Sequence, residues 1–181
     1  MAVFESRSHH SAAVAAPSPR GARIEEIEAV YRSRLGTFVR VCTALLGNRE
    51  LAIDAVHDGF AAAVKRRESF RGDGSVEGWL WAVVVNAARN HRRAQALRAA
   101  AAAGDDAPPP PDDAHDTDLV RDHVARLPER QRLVLFLRYY ADLDYQEIAA
   151  AVGIAVGTVG STLNAAHAAL HEALAKEACD D

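Results

Sequence analysis

Residues 144–170 read DYQEIAAAVGIAVGTVGSTLNAAHAAL. The first part, DYQEIAAAVG, has the make-up of a short helix stopped by Gly153. A longer helix is expected from about Val156 to Lys176, with Val159, Leu163, Ala166, Leu170 and Leu174 recurring on its inward face. Short helix, glycine turn, longer helix is the helix-turn-helix arrangement, whose second helix enters a DNA groove. DNA binding leans on cations, yet no Lys or Arg occurs from Tyr139 to Ala175.

Outward from this stretch, LPERQRLVLFLRYY (127–140) gives a preceding helix with Pro128 at its first position, and another helix is expected at about 117–126. Before them, residues 99–118 hold six Asp, no base and a run of prolines, the composition of an extended, self-repelling linker. The first half opens with a helix from Ile24, marked by Ile27, Tyr31, Leu35, Phe38, Cys42 and Leu45 and ended by Gly47-Asn48. A second helix is expected from about Arg49 to Glu68, with Ala52, Val56, Phe60 and Ala63 on one stripe. FRGDGS (70–75) breaks the pattern and offers Ser75 as the cap of a third helix carrying Trp79, Leu80, Val83, Val84 and Ala87. The reading is therefore all-α: two small helical domains, residues 24–98 and 119–176, joined by the acidic proline-rich linker 99–118 and preceded by a disordered leader, 1–23, each domain building a minimal core.

Charge is unevenly spread. Residues 65–93 hold seven Lys/Arg against three acids, whereas residues 119–181 hold six against nine, so a nucleic-acid footprint belongs on the first half. Cys42 and Cys179 have neither paired spacing nor a neighbouring histidine cluster, which argues against a disulfide scaffold or a zinc site. The leader lacks the continuous apolar stretch of a signal peptide, and no window approaches the roughly 18 apolar residues of a membrane span, so a cytoplasmic protein is expected. No phosphate-binding glycine loop, nucleophile motif or spaced Cys/His set is present. His9-His10 in the leader, and His167 with His171, read as polar surface rather than as metal ligands. No enzyme activity, cofactor or metal is expected.

The pairing of AIDAVHDGFAAAVKRRESFRGDGSVEGWLWAVVVNAARNHRR (52–93) with LPERQRLVLFLRYYADLDYQEIAAAVGIAVGTVGSTL (127–163) resembles the extracytoplasmic-function sigma factors of the sigma-70 family, two-domain bacterial transcription initiators. The second stretch alone is shared with LuxR-type regulators; FRGDGSVEGWLW and the order of the halves favour the sigma family. The resemblance implies core RNA polymerase and promoter DNA as partners, with an anti-sigma factor or helper protein as a further one, and no membrane. It places Asp54, His57 and Asp58 at the polymerase-docking positions of the second helix. Asp54 and Asp58 are also helical neighbours, a like-charged pair that is mildly unfavourable unless something meets it. For DNA, the basic runs Lys65, Arg66, Arg67 and Arg89, Arg92, Arg93 suit phosphates, Trp79 and Trp81 suit base stacking, and Asn86 and Asn90 lie in the segment that reads the −10 element. Two aromatics two apart on a helix face different ways, so at least one of the tryptophans belongs to the core. Ala82 and Val85 depart from the arginines common in the family.

On the last helix Thr158, Ser161, Thr162 and Asn164 are the candidate DNA contacts. Its outward face is read as Gly160, Thr162, Ala165 and His167, where the family carries Lys and Arg, and Ala155 replaces the usual serine cap. The expectation is a sigma factor with weakened direct −35 contact. Its rival is a sigma-derived regulator that binds polymerase or a protein partner without initiating transcription.

Overall fold

The structure, a computed structural model, describes residues 21–102 and 119–180. The leader up to residue 20, including His9-His10, and residues 103–118 of the expected linker lie outside the described residues. Among the described residues there are seven α-helices, one 3-10 turn and no strand. They are α1 (Ile24–Leu46), α2 (Arg49–Lys65), α3 (Val76–Ala102), α4 (Leu119–Arg126), α5 (Glu129–Tyr139), α6 (Tyr145–Val152) and α7 (Val156–Asp180). The 3-10 turn, Arg67–Ser69, takes the end of the helix expected to reach Glu68.

Local chemistry sets the boundaries. Gly47 ends α1 in the left-handed conformation, φ 71°, and Asn48 caps α2 by accepting the Leu51 N–H at 2.9 Å. Ser75 Oγ accepts the Gly78 N–H at 2.9 Å as the cap of α3. Asp144 and Glu147 close a reciprocal capping box on α6, and Gly153, φ 76°, stops it. Three expected boundaries move. Residues 21–23 are tied down rather than loose, with Ala22 N–H donating to the Arg67 carbonyl at 2.8 Å. Helix α3 runs through residues 99–102, expected in the linker. Pro128 is the cap before α5, not its first helical residue.

Helices α1, α2 and α3 pack around an aromatic centre. Phe38 stacks on Trp81 at 3.8 Å and meets Phe60 edge-on at 5.0 Å, and Phe60 in turn meets Tyr31 edge-on at 5.0 Å. Gly59 permits the closeness of α2 and α3: a Cβ there would lie 2.8 Å from Val84 Cα. Cys42 is buried in this core, which pushes its thiol up to about 12. The expected stripe of α2 is buried in full; on α3 the buried residues are Leu80, Trp81, Val84, Val85 and Ala88, one position round from the expected face. On α7 Val159, Leu163 and Ala166 are buried, while Leu174 is exposed.

The halves do not build separate cores. Leu133, Val134, Leu137, Ile148, Val152 and Val159 belong to the same contiguous apolar cluster as Phe38, Phe60 and Trp81, with α6 laid on α3 and α5 on α1. Only Leu127, Leu135 and Ala166, with Leu170 packed against them, form a second cluster.

Candidate polymerase and promoter interface

Asp54, His57 and Asp58 are all exposed on α2, opposite its buried stripe. The like-charged spacing of Asp54 and Asp58 is met from α3, where His91 Nε2 lies 2.8 Å from Asp58 Oδ2. His57 Nε2 lies 3.4 Å from the Tyr31 hydroxyl. Neither His91 nor Tyr31 is legible in the sequence as a neighbour of this face, because partners 33 and 26 residues apart leave no local periodic signal.

Lys65, Arg66 and Arg67 are exposed where α2 passes into the 3-10 turn. On α3, Asn86, Asn90 and Arg93 recur at spacings of four and three and are exposed together. Arg89 and Arg92 face elsewhere. Arg89 donates to the Val152 carbonyl at 2.9 Å and has Nε 4.0 Å from Glu129, and Arg92 forms an ion pair with the same Glu129. Thus the basic cluster is divided between an open strip and a partly exposed strip paired with α5 and α6.

The tryptophans separate. Trp79 is half-buried against Phe70, ring centroids 5.6 Å apart. Trp81 is 0% exposed beneath Phe38, so it is a core residue, and its assignment as a DNA contact is corrected. Helix α7 needs the same correction at Thr162, which is 8% exposed and donates its hydroxyl to the Thr158 carbonyl at 2.7 Å. Ser161 is exposed but bonds the same carbonyl at 3.0 Å, and Thr158 is half-buried. Gly160 is not outward either: a Cβ there would meet Tyr145 at 3.6 Å. The exposed polar groups on this stretch of α7 are Ser161, Asn164, His167 and His171, with His167 Nε2 3.0 Å from the Tyr139 hydroxyl. No group of three or more metal-ligating side chains occurs among the described residues, and no single helix there is long and apolar enough to cross a membrane.

The chain matches Sigma-70 region 2 over residues 30–98 and Sigma-70 region 4 over residues 117–175. It is 31% identical over 157 residues to RNA polymerase sigma-H factor of Pseudomonas aeruginosa, spanning 77% of this chain and 79% of that protein. It is 31% identical over 134 residues to the ECF RNA polymerase sigma-E factor of Escherichia coli K12, spanning 65% and 70%. Its fold is that of the sigma factor RpoE solved with the anti-sigma factor NepR from Bartonella quintana, TM-score 0.69 at 21% identity over 83% of this chain and 98% of that one. CnrH in complex with the cytosolic domain of CnrY gives 0.62 at 20% identity, over 83% and 88%. Sigma-70 regions 2 and 4 in this order define a transcription initiation subunit, and this chain belongs to the extracytoplasmic-function sigma factors of the sigma-70 family. Its function is to direct RNA polymerase to promoters for transcription initiation.

Proposed function

We propose that this sigma factor recognises promoters chiefly through its first half, and that its second half adds little direct affinity for −35 duplex. In this reading residues 24–98 form the polymerase and −10 domain, and residues 119–176 the helix-turn-helix domain. The exposed Asp54, His57 and Asp58 dock on core polymerase, Lys65, Arg66, Arg67, Arg89, Arg92 and Arg93 hold phosphates, and Asn86, Asn90 and Trp79 meet the unpaired −10 strand. Ser161, Asn164 and, at its edge, Thr158 touch −35 bases only once the polymerase holds the helix there. The chain works in the cytoplasm and leaves the chemistry to the polymerase. An anti-sigma factor or helper protein is a further partner in this proposal.

One observation carries the reading: α7 brings no Lys or Arg to a groove before Lys176, which itself pairs with Glu172 at 2.7 Å. Without cations there is no counterion release, the source of nearly all non-specific DNA affinity. The test is a salt titration of the full chain on duplex carrying the −35 element of a promoter it transcribes. Weak binding with a shallow slope supports the reading; tight, steeply salt-dependent binding lost on deleting α7 returns this helix to ordinary −35 recognition.

A further inference from the structure

We infer that His167 and His171 are a phosphate-binding pair on α7 that acts only when protonated, so that contact with −35 duplex strengthens as the pH falls. This deepens the function proposed above and rests on it, since it takes α7 to reach the −35 region with the polymerase and to bring no fixed cation there.

Between Tyr139 and Ala175 these two histidines are the only basic side chains. Ser161, Asn164, His167 and His171 recur at spacings of three, three and four and are exposed together, one open stripe along α7. His167 and His171 stand one turn apart on it, about 6 Å along the axis. In a helix-turn-helix the first residues of the second helix meet base edges. A pair about three turns further in lies towards the groove wall, where the phosphates are. Histidine changes charge within roughly pH 5–8, so this pair can add two positive charges to a stripe that otherwise carries none.

The surroundings leave both charge states open. Tyr139 of α5 holds the His167 ring, its hydroxyl 3.0 Å from Nε2 and the ring centroids 5.7 Å apart. A hydroxyl donates to a bare ring nitrogen and accepts from a protonated one, so this contact positions the ring in either state. The described acids of α7 are engaged elsewhere, Glu172 with Lys176 at 2.7 Å and Glu177 with His123 of α4 at 3.0 Å. On α5, Glu129 faces Arg89 and Arg92, Arg132 donates to the Ala125 carbonyl and Arg138 to that of Leu143. On α6, Glu147 is tied to Ser75, and Tyr145 lies beside Gly160. The other described charged groups of α4 and α5, Asp122, Arg126 and Arg130, are exposed. Among the described residues no carboxylate pairs with either histidine, so a phosphate meets no internal competitor for the imidazolium. Because phosphate selects the protonated ring, binding takes up protons and affinity rises as the pH falls.

The test uses holoenzyme assembled from core polymerase and the full chain, at about pH 8 and about pH 6. The DNA is a transcribed promoter, either as a long duplex spanning both elements or as a short one cut off downstream of the −35 region. Between the two pH values the parent's affinity for the long duplex should rise more than that of a chain carrying His167→Gln and His171→Gln. At about 50 mM salt the excess should be about tenfold for each phosphate gained, the counterion release of one contact, with the log–log salt slope about 0.9 steeper per contact. On the short duplex that excess should vanish. His167→Lys with His171→Lys should bind the long duplex at the higher pH as the parent does at the lower. An equal rise in the parent and glutamine chains, or an excess that persists on the short duplex, overturns the inference. The function proposed above fails separately: if the glutamine chain at about pH 8 loses most of its affinity and salt slope on going from long to short duplex, α7 binds the −35 region without these histidines.

Discussion

Trp79 and Trp81 stand two positions apart on α3, and the helical turn sends one to a half-buried position beside Phe70 and the other under Phe38. Trp81→Ala should therefore cost about 3–5 kcal/mol in denaturant unfolding, the range for deleting a buried aromatic, and Trp79→Ala clearly less. Equal losses would contradict the packing described. Cys42 makes a second residue-scale prediction: with its thiol raised to about 12 by burial, little thiolate exists at pH 8, so in a Cys179→Ser chain alkylation should wait for unfolding. Rapid labelling of the native chain would show the site to be open. At the docking face, Asp54→Ala with Asp58→Ala should weaken binding to core polymerase while leaving helicity unchanged, checked by interferometry beside circular dichroism. Wild-type affinity would remove that face from the polymerase contact. These exposed acids were legible from the family resemblance, with their helical spacing in support, whereas His91, which meets Asp58, was not: a contact across 33 residues is set by tertiary packing.

Helix α7 shows how far an element can be read before its neighbours are known. Its start, its glycine turn and its buried Val159, Leu163 and Ala166 follow from periodicity, while its end lies at Asp180, past the expected Lys176. Its outward face does not, because Thr162 and Gly160 are polar or small enough to read as surface, yet one lies buried and the other beside Tyr145. A cation at buried Thr162 would disturb packing as well as charge. Asn164→Lys and Ala165→Arg, both at exposed positions, are the cleaner change: duplex affinity should rise and the log–log salt slope steepen by about 0.9 for each phosphate contact made. An unchanged slope would mean that this face never meets DNA. On α3 the buried stripe is rotated by one position from the expected face: Trp81 is buried under Phe38 of α1, and α6, a neighbour from the other half of the chain, also lies on this helix.

At the scale of the molecule, the sequence carried the all-α class, the order of the helices and the split of charge between the halves. It could not carry the packing of α6 on α3, since no periodicity within α3 names α6 as its partner, and separate cores were expected where one continuous cluster exists. The first half is where the cations and asparagines proposed for the promoter lie. Initiation with core polymerase brings the whole account to a single readout. Purified chain and core polymerase are run on genomic fragments to find a transcribed promoter, and its two elements are then scrambled in turn in a run-off assay. The account predicts transcript only when the chain is added, lost on scrambling the −10 element and reduced only modestly on scrambling the −35 element; no transcript on any fragment, or equal loss from either scramble, would contradict it.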